Sequence, residues 1–235
     1  MIALITGANK GIGYQTARLL AEKGATVLVG ARDAGRGQRA AEELGVRSVQ
    51  LDVTSAESVA SAAKWIEEEY GVLDILVNNA GIMVSQDDPA APSATPVDAL
   101  RATYETNVFG VVAVTNAMLP LLRRSAAGRI VNVSSGLASL ARMTDPQDEF
   151  WAANYLAYNS SKAALNMITV SYAKELAGTP VKVNAADPGY CSTDMNGHSG
   201  PRDPEQGAAV AVRLALLDAD GPTGGFFEET GTAPW

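Results

Sequence analysis

The chain has 235 residues, of which 47% are hydrophobic and 19% are charged. Its 18 Lys and Arg residues and 26 Asp and Glu residues give a formal net charge of −8, which argues against nonspecific binding to nucleic acid or to an anionic membrane. Cys191 is the only cysteine and His198 the only histidine, so an intrachain disulfide is excluded, and a metal site or a Ser-His-Asp triad is disfavoured. Without a signal-peptide pattern or a long apolar run, we expect a cytoplasmic protein that spans no membrane.

Two kinds of segment alternate along the chain. Short apolar runs predict strands at residues 2–6, 26–30, 47–51, 73–77, 129–133 and 181–186, and longer helix-forming segments lie at 13–23, 35–44, 56–70, 97–124, 157–177 and 204–218. This order predicts one α/β domain over residues 1–235, with a parallel sheet covered by helices on both faces. Loops at 85–96, 137–154 and 187–207 follow strand ends, where ligands bind in such sheets, so we expect them to border a substrate pocket.

A glycine-rich turn follows the first predicted strand, where residues 6–13 read TGANKGIG. Glycine permits a tight turn and a close approach of the backbone to a ligand, and the following helix presents free N–H groups to a pyrophosphate. The spacing differs from the common Gly-x-Gly-x-x-Gly pattern and from a Walker A loop. The turn therefore indicates a dinucleotide site of another type, although a purely structural turn has the same composition.

The end of the second strand distinguishes the two nicotinamide dinucleotides. NAD-binding proteins usually place a carboxylate there for the ribose 2′-hydroxyl, whereas NADP-binding proteins place a cation for the 2′-phosphate. Here the strand leads into Gly30, Ala31 and Arg32, with Lys10 and Arg36 as further cations. This favours NADPH over NADH, and the alternative is that the arginines are solvated residues at the start of the next helix.

The third and fourth strands also end in polar residues. Asp52 can accept a hydrogen bond from an adenine amino group, or it can belong to the cap of the next helix. Residues 78–81 read NNAG, which suits a cofactor cleft and also an ordinary turn. We expect these strand ends to lie beside the glycine-rich turn.

Tyr158 and Lys162 are four positions apart and share one face of a predicted helix. A nearby ammonium lowers the pKa of a phenol, so this pair suits a general acid at Tyr158, although the same spacing by itself is common on solvated surface helices. Ser135 follows the strand at 129–133 and is suited to hydrogen-bond a substrate carbonyl, although a serine there also suits a local turn. Asn107 lies inside a helical segment, where asparagine is unfavourable without partners, and a water-linked proton relay is one such partner.

Together these motifs resemble the short-chain dehydrogenase/reductase family over essentially the whole chain, and most closely its NADPH-dependent carbonyl reductases. The resemblance implies a Rossmann-like, doubly wound sheet of about seven strands, closed by a strand near Phe226. It implies that Ser135 binds the carbonyl, Tyr158 donates the proton, Lys162 holds the nicotinamide ribose and Asn107 anchors a water. The implied cofactor residues are Gly7, Asn9, Lys10, Gly11, Ile12, Gly13, Arg32, Asp52, Val53, Asn78, Ala80, Gly81, Tyr158, Lys162, Pro188, Gly189 and Thr193.

The predicted activity is NADPH-dependent reduction of a small ketone or aldehyde. The alternatives are an NAD-dependent alcohol dehydrogenase and a dinucleotide-sensing protein without turnover.

Ser135 and Tyr158 are 23 positions apart, where many family members have about a dozen, and the extra residues fall within 137–154. Some carbonyl reductases of the family carry a still longer insertion here, and in them it is associated with a monomeric state. The usual dimer face of the family includes the Tyr158 helix, so a monomer and a homo-oligomer both remain open. Trp151, Tyr190 and Met195 are expected as apolar walls of the pocket, or as ordinary packing residues.

Overall fold

A computed structural model describes residues 1–85 and 87–235, and one eight-stranded sheet forms its centre. The strands are β1 Ile2–Thr6, β2 Thr26–Ala31, β3 Arg47–Gln50, β4 Ile75–Asn78, β5 Arg129–Val133, β6 Lys182–Ala186, β7 Phe226–Glu228 and β8 Gly231–Thr232. They lie in the order β3-β2-β1-β4-β5-β6-β7-β8, and all neighbouring pairs are parallel except β7 and β8. The strand order changes direction at β1 and β4, which creates a crevice at their carboxyl ends.

Helices cover both faces of this sheet. They are α1 Gly11–Glu22, α2 Ala34–Leu44, α3 Ala56–Tyr70, α4 Val97–Tyr104, α5 Gly110–Leu122, α6 Leu140–Met143, α7 Leu156–Glu175 and α8 Pro204–Ala215. On one face α1 and α8 pack around Leu20 and Val210, and on the other α3, α5 and α7 pack around Ile66, Met118 and Tyr172. The predicted doubly wound α/β fold is confirmed.

The apolar runs of the sequence explain this two-sided burial. In β1, Ala3 and Ile5 belong to the core on one face and Leu4 to the core on the other, and all three are fully buried. Side chains alternate between faces along a strand, so a strand covered on both sides must be apolar at every position.

Two elements differ from the sequence prediction. The antiparallel strand β8 adds an eighth strand, and its two residues are too few to produce a sequence pattern. The predicted helix at 97–124 consists of α4, a π-helical turn at Glu105–Phe109 and α5. The π turn contains Asn107, and π turns of this kind often accompany functional sites.

The continuous helical stretch Val97–Leu122 is long and apolar enough to cross a membrane by length and composition. Half of its most apolar window is nevertheless buried within the protein, as in the core helices of globular domains.

The predicted loops contain short helical turns. Pro92–Ala94 lies in the first, Gly136–Ala138 and α6 lie in the second, and Asp194–Asn196 lies in the third. Gln86, which belongs to the first predicted loop, lies outside the described residues.

Candidate active site

The glycine-rich turn connects β1 to α1, and its glycines are required by geometry. Gly7 and Gly11 have positive φ angles of 65° and 60°, which other residues rarely adopt. A Cβ atom at Gly13 would overlap Nδ2 of Asn79 and lie 2.8 Å from the carbonyl oxygen of Gly7. The turn is therefore packed directly against the end of β4.

The N-terminus of α1 is suited to bind an anion. Among the described residues, no side chain caps this helix, and its first turn carries no acidic residue. Its first N–H groups thus lack a capping side-chain acceptor at the positive end of the helix dipole. These groups fit the pyrophosphate of a dinucleotide.

The third loop lies against the same turn. Lys10 Nζ is 2.6 Å from Asp194 Oδ2, and a Cβ atom at Gly11 would lie 3.7 Å from Cγ2 of Thr193. The helix after the third loop, α8, also reaches this turn, since a Cβ atom at Gly207 would lie 3.4 Å from Ile12 Cγ1. Two distant parts of the chain thus meet here, and the predicted cofactor residues they bring together are Gly7, Asn9, Lys10, Gly11, Ile12, Gly13, Pro188, Gly189 and Thr193.

Arg32 follows β2 directly and its side chain is exposed. The neighbouring acid, Asp33, accepts a hydrogen bond at Oδ1 from the backbone N–H of Arg36, 2.8 Å away, and caps α2. This backbone hydrogen bond lowers the pKa of Asp33. Within the part of the chain that the structure describes, no other side chain engages the Arg32 guanidinium, while the Asp33 carboxylate is engaged in the helix cap.

At the end of β3, Asp52 has mainly local contacts. Its Oδ1 atom accepts hydrogen bonds from the N–H and the hydroxyl of Thr54, at 3.0 and 2.7 Å. Val53 packs against α5, where a Cβ atom at Gly110 would lie 2.9 Å from its Cγ2. Asp52 thus forms a local turn just before α3, whose cap is Ser55, and a contact with adenine remains a prediction.

Asn78, the last residue of β4, has its side chain inside the fold. Asn78 is buried, and its Nδ2 atom donates to Thr115 Oγ1 at 3.1 Å and to Asn132 Oδ1 at 2.9 Å. The side-chain amide thus lies inside the fold and joins β4 to β5, and a contact between Asn78 and the cofactor remains a prediction.

Asn79 belongs to the predicted NNAG segment but not to the predicted cofactor residues, and its Nδ2 atom donates to the carbonyl oxygens of Thr6 and Gly7 at 2.9 and 3.2 Å. Asn79 therefore fixes the glycine-rich turn, while Ala80 and Gly81 continue past it and remain partly accessible. The repeated asparagine in NNAG was the available signal, but the spacing does not tell which amide faces inward.

Ser135, Tyr158 and Lys162 come together beyond the end of β5. The Ser135 side chain lies close enough to the Tyr158 hydroxyl to lower its pKa, and Lys162 Nζ lies 5.7 Å from the centre of the Tyr158 ring. Lys162 is buried and donates to the carbonyl oxygen of Val133 at 2.8 Å. The predicted hydroxyl pair and the ammonium thus share one site.

The electrostatics of this site differ from the prediction. Burial raises the pKa of Tyr158 to about 12, with the hydrogen bond from Ser135 acting against the rise and the charge of Asp187 adding to it. Burial also lowers the pKa of Lys162 to about 8. The expected lowering of the Tyr158 pKa by Lys162 is wrong for this structure, because desolvation outweighs the effect of an ammonium that bonds to a backbone carbonyl.

Asn107 is fully buried in the π turn. Its Nδ2 atom donates to the carbonyl oxygen of Ile82 at 2.9 Å and to Ser161 Oγ at 3.0 Å, and its Oδ1 atom accepts from Ile82 N–H at 2.8 Å. A Cβ atom at Gly81 would lie 3.5 Å from both Asn107 Oδ1 and Lys162 Nζ. Asn107 therefore borders the Lys162 site, with both amide donors engaged.

Asp187, at the end of β6, is a residue that the sequence reasoning missed. It is buried, it accepts a hydrogen bond from the backbone N–H of Gly189 at 2.9 Å, and it lies beside the backbone N–H of Gly136. Burial raises its pKa, and the two N–H groups act against the rise. The carboxylate thus joins the Ser135 loop to the third loop, and its position after an apolar strand was the available signal.

The expected apolar pocket walls are accessible. Trp151, Tyr190 and Met195 are all exposed, and the Tyr190 hydroxyl hydrogen-bonds to Ser199. Across the residues that the structure describes, no group of three or more His, Cys, Asp or Glu side chains could hold a metal ion.

Comparisons with known proteins identify the family. The family model for short chain dehydrogenases matches residues 1–203. A short-chain dehydrogenase of Penicillium roqueforti, anuI, is 41% identical over 91% of this chain and 88% of its own. Carbonyl reductase [NADPH] 1 of Mus musculus is 34% identical over 100% and 98% of the two chains. The structure of salutaridine reductase from Papaver somniferum matches with a TM-score of 0.82 and 30% identity, covering 97% of this chain and 99% of that one.

The chain therefore belongs to the short-chain dehydrogenase family and is an oxidoreductase.

Proposed function

We propose that this protein reduces a ketone or aldehyde to an alcohol with NADPH, and that Tyr158 donates the proton. The observation that carries the proposal is the grouping of Tyr158 and Ser135 with the buried Lys162, whose Nζ lies 5.7 Å from the Tyr158 ring centre, at the carboxyl edge of the sheet. The carbonyl reductase [NADPH] from mouse supports the substrate class and the cofactor.

The residues present fit a nicotinamide dinucleotide. The N-terminus of α1, which has no capping side chain within the described ranges, receives the pyrophosphate, and Lys162 holds the nicotinamide ribose. Bound NADPH supplies the hydride. Exposed Arg32 receives the 2′-phosphate, because its guanidinium can make bidentate contacts with phosphate oxygens. NAD would require a carboxylate for the 2′-hydroxyl, and the nearby Asp33 already caps α2.

The chemistry then follows from two hydroxyl groups. Ser135 and Tyr158 donate hydrogen bonds to the substrate oxygen, where negative charge develops during reduction. Tyr158 passes its proton to that oxygen, and a pKa of about 12 keeps the hydroxyl protonated over the neutral range. The Lys162 ammonium stabilises the phenolate that remains.

Reprotonation of Tyr158 requires a path for protons. Asn107 can hold a water only through the second lone pair of Oδ1, because its two amide donors bind Ile82 and Ser161. We propose this water as the next member of the relay.

The substrate is proposed to be a small molecule, and the protein to act in the cytoplasm without nucleic acid or membrane. The direct test is a panel of ketones, aldehydes and quinones assayed with NADPH and NADH side by side. Faster turnover with NADPH supports the proposal. Turnover limited to alcohols with NAD would support the dehydrogenase alternative, and dinucleotide binding without any turnover would support a sensing protein.

A further inference from the structure

The helix that carries Tyr158 receives its N-terminal cap from a distant part of the chain. Tyr155 occupies the cap position of α7 and makes no capping hydrogen bond with its side chain. Instead, Asp87 Oδ1 accepts from the N–H of Ala157 at 3.1 Å, and Asp87 Oδ2 accepts from the N–H of Tyr158 at 2.8 Å. Asp87 precedes these residues by 70 and 71 positions.

The Asp87 carboxylate is buried and does not lie on the protein surface. The residue is only 4% exposed, so its charge depends on these two N–H groups and on the positive end of the α7 dipole. Each of its two oxygens has its own backbone donor, and one donor belongs to Tyr158 itself. Loss of the carboxylate would free the first turn of α7.

Tyr158 is consequently held at two points. Its hydroxyl lies beside the Ser135 side chain, and its backbone N–H is fixed by Asp87. Lys162 lies one turn further along α7 and is held separately by Val133. A change at Asp87 should therefore affect Tyr158 more strongly than Lys162.

We propose that Asp87 is a positioning residue for the reduction, which sets the Tyr158 hydroxyl relative to Ser135 and ties the first loop to the active site. The inference rests on the proposed function of Tyr158. It assigns to the loop at 85–96 a role in catalysis that does not require contact between Asp87 and the substrate.

The test compares Asp87→Ala and Asp87→Asn with Ser55→Ala. Ser55 caps α3 by accepting from the N–H of Ser58 at 3.2 Å, and α3 carries none of the site residues, so this variant controls for the loss of a helix cap. We expect Asp87→Ala to lower kcat by about ten- to a hundredfold, since small displacements of a reacting group have effects of this size. Asp87→Asn keeps one acceptor oxygen, so its kcat should lie between the kcat of Asp87→Ala and that of the wild type.

Three further measurements separate positioning from general instability. The KM for NADPH should change by less than about twofold in the Asp87 variants, because Lys162 stays in place. The deuterium isotope effect on hydride transfer should increase in Asp87→Ala, and amide exchange should accelerate at Ala157 and Tyr158. Ser55→Ala should lose about as much thermal stability as the Asp87 variants, but its kcat and isotope effect should equal those of the wild type.

An equal kcat in Asp87→Ala, Ser55→Ala and the wild type would overturn the inference. If Asp87→Ala does not fold, Asp87→Asn provides the same comparison. If the wild type reduces no carbonyl compound, the proposed function fails by itself. Amide exchange in the Asp87 variants then still decides whether the carboxylate fixes the first turn of α7.

Discussion

Lys162 should determine how the reduction depends on pH. Burial lowers the pKa of this ammonium to about 8, whereas the pKa of Tyr158 is raised to about 12. Between about pH 8 and pH 10 the proton donor therefore stays protonated while Lys162 loses its charge. The reduction rate in this pH range should therefore fall as Lys162 loses its proton.

The magnitude follows from this pKa. Lowering the pKa from 10.5 to about 8 means that burial destabilises the charged form of Lys162, relative to a lysine in water, by about 3 kcal/mol. The charged fraction falls from about nine-tenths at pH 7 to about one-tenth at pH 9. If only the charged form supports turnover, the rate should fall about tenfold over the same interval.

The assay is kcat/KM for NADPH from pH 6 to about pH 10, because this quantity reports the ionisation of the free enzyme. The wild type should lose rate with an apparent pKa near 8. Lys162→Arg keeps a charge across this range and should lose the pH-dependent fall, even if its overall rate is lower. A wild-type profile that stays flat to pH 10, or the same fall in Lys162→Arg, would refute this reasoning.

Two further predictions concern cofactor choice and stability. Arg32→Ala should raise the Kd for NADPH by about tenfold and leave the Kd for NADH unchanged in fluorescence titrations, and equal changes for both would contradict the 2′-phosphate contact. Arg129 is 3% exposed and donates to the carbonyl oxygens of Leu217, Gly128, Pro180 and Asp218. Arg129→Leu should therefore lower the free energy of unfolding by about 3 kcal/mol in urea, because these buried acceptors lose their donor. The matched control Arg123→Leu removes an exposed ion pair and should change stability little.

Much of the fold could be predicted because its physical causes are local. The fully apolar run in β1 reflects burial on both faces of the sheet, and the glycines at 7 and 11 reflect positive φ angles. The two-residue strand β8 and the π turn around Asn107 have no comparable local cause, so the pattern could not reveal them.

The parts of the site that depend on local spacing could also be predicted. Tyr158 and Lys162 share a helix face, so their proximity follows from spacing alone. The orientation of the Asn78 amide, the burial of Asp187 and the contact of Asp87 with α7 depend on tertiary packing across many residues. Desolvation reversed the expected pKa shift of Tyr158 for the same reason, since burial of a helix face is set by its neighbours.

The central claim is that the Tyr158 hydroxyl protonates a carbonyl oxygen as it is reduced. The most direct measurement follows the rate at which deuterium passes from 4,4-dideuterated NADPH into the product alcohol, for the wild type and Tyr158→Phe, with the Kd for NADPH measured on both. We expect labelled alcohol from the wild type, and at least about a hundredfold less from a variant whose NADPH affinity changes by less than about threefold. Labelled alcohol formed by Tyr158→Phe at the wild-type rate would contradict the account.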